Sequence, residues 1–321
     1  MISGRFYKRA AASLATALML AACSETAISP EFTGDRDERL VVYAVNYPLA
    51  WLAERIGGEF VAVVLPSPAD VDPAFWSPDA ETVAAYQRAD LIVLNGAGYA
   101  RWVSRAALPR SRMVDTSAAF ADRWISIDDA STHGHGPEGE HTHQGWAHAT
   151  WLDPTLAVEQ GRAITEALVS ALPEDEAAIR ARFEQVTGEL TALDSRLVAA
   201  ARRLDGVPLL FSHPSYQYLV ARYHLDARAL HWEPDVNPSE SEWVAFEALL
   251  VEHPARVLFW EAEPLPQTAA RLEALGVKSL VYDPCADAPE KGDFLSVAGA
   301  NAQALEEAAG MRQGGTNGRS G

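Results

Sequence analysis

Positive charge is scarce in this 321-residue chain: 26 Lys and Arg stand against 44 Asp and Glu, a net −18. Phosphate binding needs a basic footprint, so nucleic acid is excluded as a partner. Only two cysteines occur, Cys23 and Cys285, too few for a disulfide scaffold. Catalytic signatures are missing as well. There is no H-E-x-x-H, no G-x-S-x-G and no P-loop, and Gly96-Ala-Gly98 alone is too short for a dinucleotide fingerprint. No apolar run reaches the roughly 20 residues that span a bilayer. Disorder is excluded too, because 48% of residues are hydrophobic and nine are Trp.

What is present at the start points to export. Arg5, Lys8 and Arg9 precede an apolar run over 10–22 that ends in Leu20-Ala-Ala-Cys23, a positive n-region and short h-region of a secretory signal. Leu-Ala-Ala-Cys looks like a bacterial lipobox, with Cys23 lipidated after cleavage. Removing residues 1–22 takes away three cations and no acid, so the balance falls to −21. Residues 23–39 read as a tether, and the membrane is touched only through the lipid. Once Cys23 is modified, Cys285 has no intrachain partner.

Short apolar runs then alternate with helical patterns, which predicts α/β architecture with mostly parallel sheets. The expected strands are 40–45, 61–65, 91–94 and 113–114 in an N-terminal lobe (40–172), and 208–212, 227–231, 257–260 and 279–282 in a C-terminal lobe (206–310). Between them, 173–205 reads as one long rigid helix. It starts near Pro173 and carries a single stripe through Ile179, Phe183, Val186, Leu190, Leu193, Leu197, Ala201 and Leu204. Residues 311–321 read as a disordered tail.

Five of the nine histidines, His133, His135, His141, His143 and His148, fall in the segment 131–148. Its glycine, proline and polar residues predict a mobile loop without helix or strand. Imidazoles in His-x-His pairs suit zinc, copper or nickel, so the loop is expected to collect ions as an accessory. Three polar residues stand just past expected strands: His213, Glu233 and Asp283. In open α/β sheets ligands bind beyond the strands' carboxyl ends, so these form a candidate metal shell. Each also has a structural reading, a packed histidine, a rim charge and a turn aspartate before Pro284.

The chain resembles the metal-binding solute-binding lipoproteins of zinc and manganese ABC importers. The likeness runs from about residue 40 to 310 through Asn46-Tyr-Pro-Leu-Ala50, Ile56-Gly-Gly-Glu-Phe-Val61, Asp72-Pro73, Ala89-Asp-Leu-Ile-Val-Leu-Asn-Gly96, Trp151-Leu-Asp-Pro154 and Ser212-His-Pro-Ser-Tyr-Gln-Tyr218. It implies two Rossmann-like lobes joined by a rigid helix, a cleft that holds one ion, most often zinc with manganese as the other choice, and no enzymatic activity. It also implies a monomer at the periplasm or outer face of the bacterial membrane, delivering metal to an ABC permease in the cytoplasmic membrane. His213 and Asp283 fall on ligand positions of that family. Two usual histidine positions are instead Ala74 and Ala149, with His148 one residue early. His148, a histidine from the mobile loop, Glu233 and Cys285 are therefore the candidates to complete the shell. A metal-buffering chaperone or surface-interaction lipoprotein without a permease is the alternative function.

Overall fold

The computed structural model describes residues 39–69, 71–127, 132–134, 140–142 and 145–311. The signal, Cys23, the tether, His135, His143 and the tail from 312 lie outside them.

The first four strands are β1 (Leu40–Ala44), β2 (Val61–Val64), β3 (Leu91–Leu94) and β4 (Met113–Asp115). They form a parallel sheet in the order β2-β1-β3-β4. Helix α1 (Tyr47–Gly57) follows β1 directly: the Asn46 side chain caps it, accepting from Leu49 N at 3.2 Å, and Pro48 sits in the first turn. Helix α2 (Ala80–Arg88) begins under an Asp79 cap. The turn after β3 explains Gly96-Ala-Gly98. Gly96 has φ +74°, and a Cβ there would lie 1.9 Å from Ser117 Oγ, so the glycines serve a tight turn.

Beyond β4 the chain makes two small ribbons. Strand β5 (Ser126–Ile127) pairs with β8 (Gly145–Trp146), and between them β6 (Thr132–Gly134) pairs antiparallel with β7 (Glu140–Thr142) in the register His133 opposite His141. This corrects the expectation of a segment without strand. Low strand propensity was overridden by cross-strand pairing, which no propensity scale contains.

Helix α3 (Pro154–Ala171) starts at a capping Asp153 with Pro154 at its first position. A 3₁₀ turn at Pro173–Asp175 leads into α4 (Glu176–Arg203), the long helix. Of its expected stripe, Ile179, Phe183, Val186, Leu190, Leu197 and Ala201 are buried, while Leu193 is half-buried. After α4, strands β9 (Leu209–Phe211), β10 (Ala227–Ala229), β11 (Val257–Trp260) and β12 (Lys278–Val281) form the second parallel sheet, ordered β10-β9-β11-β12. Its helices are α5 (Gln217–Tyr223), α6 (Glu240–Glu252), α7 (Pro266–Ala274) and α8 (Phe294–Met311). No helix among the described residues is long and apolar enough to cross a membrane.

Helix α4 packs on α1, α3 and α8 and is fastened by several ion pairs. Arg55 on α1 grips Glu189 with both carboxylate oxygens at 2.7 Å. Arg222 on α5 holds Asp194 at 2.7 and 3.1 Å, and Tyr223 donates to the same carboxylate at 2.8 Å.

Candidate metal centre

Both sheets have the same order, so each has a switch point where the connections on either side of its first strand diverge, between the first and third strands. Ligands of open α/β sheets sit there. In the first sheet the residues past those strands are Asn46 and Asn95, both fully buried. Asn46 Nδ2 donates to Asn95 Oδ1 at 3.4 Å, and Gln160 and Thr150 donate to the same oxygen at 3.1 and 3.3 Å. Asn95 Nδ2 in turn donates to the His148 carbonyl at 2.8 Å. The N-terminal switch point is thus a closed network of amides and hydroxyls.

The second sheet presents ionisable groups in strand order. Past β10 comes His231, past β9 His213, past β11 Glu261 and past β12 Asp283. Backbone bonds continue the ladder beyond the strands: Leu230 N donates to Phe211 O and Trp232 N to Ser212 O, both at 2.8 Å, and Ser212 N donates to Phe259 O at 2.7 Å. His213 is 4% exposed. Its Nδ1 lies 3.0 Å from Ser215 Oγ and 3.7 Å from Glu261 Oε1. The His231 ring stands edge to face with it, centroids 6.2 Å apart.

The other expected residues are placed differently. Asp283 is partly buried, and desolvation raises its carboxyl above the usual range. Its Oδ1 accepts from Cys285 N at 2.6 Å, while Asn301 bonds its backbone N and O at 2.9 and 2.6 Å. The turn role and the strand-end position therefore coexist. Glu233 is half-buried two residues beyond His231. His148 packs against the rings of Tyr99 and Phe75 at 5.2 and 6.3 Å. Desolvation, helped by Arg101, pushes its pKa down to about 4, so the imidazole is neutral.

Cys285 is 4% exposed. Burial, then the carboxylates of Asp283, Asp287 and Asp293, push its thiol well up, which opposes the thiolate a metal needs. Ala149 is 5% exposed and packed in, whereas Ala74, 4% exposed, borders a cavity shared with Phe75, Trp76 and Trp102.

Among the described residues, no three His, Cys, Asp or Glu side chains converge closely enough to hold an ion. His213, Asp283, His148 and Glu233 are consequently not gathered into one coordination sphere. Glu261 and His231 escaped the sequence reading. Glu261 directly follows the apolar run 257–260, a signal as good as that of His213, but its importance depends on β11 lying beside β9.

The cleft side of the C-terminal lobe also touches the other lobe. The loop after β12 accepts from Trp151 Nε1 at Pro284 O (2.7 Å) and from Tyr47 N at Ala286 O (2.9 Å). Tyr99 is buried where the charges of Asp72 and Asp287 both reach it.

Compared with known families, residues 42–308 match "ZnuA: Zinc-uptake complex component A periplasmic". The chain belongs to this family. A curated relative, the high-affinity zinc uptake system protein ZnuA of Bacillus subtilis (strain 168), is 26% identical over 279 residues, covering 83% of this chain and 84% of that protein. Among solved structures, the metal-dependent lipoprotein YcdH of Bacillus subtilis superposes with a TM-score of 0.72 at 21% identity, covering 84% of this chain and 98% of that one. The Zn(II)-bound ZnuA-like domain of Streptococcus pneumoniae AdcA gives 0.72 at 19% identity, with 84% and 99% covered. At these identities the structural likeness shows the two-lobe solute-binding fold. The family is one of substrate-binding components for transport and not of enzymes.

Proposed function

We propose that this chain captures zinc outside the cytoplasm and delivers it to an ABC permease, held to the membrane by lipid on Cys23. The observation that carries this reading is His213: an imidazole at the switch point of the second sheet, buried and flanked by a hydroxyl and a carboxylate. Such outer partners orient ligating histidines in zinc sites. Family membership supports the import role, and the Leu20-Ala-Ala-Cys23 segment supports the anchor. Asp283 is the second proposed donor, with His148 and Glu233 behind it. The histidines of 131–148 act as a collector that raises the local ion concentration.

Zinc titration of metal-free protein tests this reading. His213→Ala is expected to weaken the tight site more than about 100-fold, beyond the loss typical of an outer partner. Deleting 132–143 should leave that site weakened but present. Wild-type affinity in the His213→Ala protein would remove the cleft from consideration. Growth on limiting zinc, with and without this chain, separates import from the alternative of a metal buffer that serves no permease. Manganese binding as tightly as zinc would overturn the choice of metal.

A further inference from the structure

With Ala74 and Ala149 at two usual histidine positions, the N-terminal side of the site has fewer imidazoles than the family's. The second sheet offers one that no sequence motif marks. The segment after β10 runs extended alongside the end of β9, fixed by Leu230 N to Phe211 O and Trp232 N to Ser212 O. Side chains alternate along such a segment. Leu230 and Trp232 turn into the lobe, where Trp232 packs on Trp243, Phe246 and Trp260 at centroid distances of 4.8, 4.9 and 6.1 Å. His231 between them is exposed and meets the His213 ring edge to face. The aromatic anchor therefore sets the position of His231 on the cleft side.

Two imidazoles sharing one tetrahedral zinc, at Zn–N distances of about 2.0–2.1 Å, have ring centroids roughly 5 Å apart. The observed separation is 6.2 Å, so a side-chain rotation closing ~1 Å would bring both rings to one ion. His231 is exposed, so that rotation does not disturb the packed core, whereas His213 is 4% exposed and cannot move far. Ser215 and Glu261 face Nδ1 of His213. A proton on Nδ1, turned to that hydroxyl and carboxylate, would leave the Nε2 lone pair for a metal.

We propose that His231 is a direct donor to the ion that His213 anchors, so that the C-terminal lobe supplies two imidazoles to the site. This rests on the reading of the cleft as a zinc site. Glu261 acts through His213 as a positioning residue.

The test is zinc binding to the full metal-free chain, measured by competition with a chelator for wild type, His213→Ala, His231→Ala and His231→Asn. Long-range ¹⁵N–¹H spectra of the histidine rings accompany it. Expected is a loss of at least about 10-fold for both His231 variants, with a His231 ring nitrogen moving to a metal-bound shift when zinc is added to wild type. Because His231 is exposed, its variants leave the core intact. Wild-type affinity in both His231 variants, or a His231 ring signal unmoved by zinc, overturns the proposal while His213→Ala still abolishes binding. Tight binding retained in His213→Ala overturns the cleft reading itself and this inference with it.

Discussion

The two lobes share one sheet order and differ in what stands at its switch point. In the N-terminal lobe, Asn46, Asn95, Thr150 and Gln160 are neutral and bond one another. In the C-terminal lobe, His213, Glu261, His231 and Asp283 are ionisable and stand in a row along the strand ends. Amides that bond each other fix a backbone and carry no charge to balance an ion. Imidazoles and carboxylates carry lone pairs a cation can use. The same topology therefore yields a girder in one lobe and a row of ionisable side chains in the other. Substitutions in the first should change stability with little effect on zinc, and those in the second the reverse.

The largest expected effect is in the girder. Asn95→Ala removes the acceptor shared by Gln160 and Thr150 and the donor to the His148 carbonyl. Leaving buried polar groups unpaired costs about 1–3 kcal/mol each, so a loss of roughly 3–4 kcal/mol is expected in denaturant unfolding. Zinc affinity should stay within a few-fold of wild type, and a larger drop would break the division between lobes.

Next comes acid. The His148 pKa is depressed from 6.5 to about 4 in the folded chain, so burial of the neutral ring contributes stability that is complete above pH 6.5. It is lost progressively as pH falls towards 4. The upper bound is roughly 3 kcal/mol, at about 1.4 kcal/mol per pH unit of displacement. His148→Phe should flatten this part of the pH–stability curve, and unchanged curvature would deny the ring its buried, neutral state.

Ala149→His asks whether an imidazole can be restored to the N-terminal side. Because Ala149 is 5% exposed, the larger side chain is expected to overpack and cost about 1–3 kcal/mol without tightening zinc. Tightening would mean that the position is open to the ion.

The smallest effect concerns Asp283. Its carboxyl titrates above the ordinary range because it is desolvated, so ionising it opposes folding as pH rises through that raised value. Asp283→Asn keeps an acceptor for Cys285 N. The variant should therefore be slightly more stable than wild type at pH 7, equal to it at low pH, and poorer at holding zinc. Equal stability at both pH values would show that the carboxylate is not desolvated.

Much of this architecture was legible in the residues. The runs 40–45, 61–65, 91–94 and 257–260 are short, apolar and bounded by turn formers, and each contains a strand. The stripe from Ile179 to Leu204 has a period only a long helix satisfies. The ribbon of β6 and β7 was not legible, since its strands exist through pairing and not through composition. The site was half legible for a related reason. His213 and Asp283 announce themselves one at a time, each after its own strand. The neighbourhood of His231, His213 and Glu261 is a fact about strand order, and a linear chain does not state which strand lies beside which. Nor does it show that Ala149 is packed shut.

One small feature has a practical reach. Cys285 adopts φ +57° between Pro284 and Ala286, whose carbonyls accept the two bonds from Trp151 and Tyr47. The thiol lies behind that clasp between the lobes. Its rate of reaction with a chromogenic disulfide therefore tracks the fraction of molecules in which the loop is open. A bound ion that steadies the loop would slow the reaction. The protein thus carries a native reporter of loop opening.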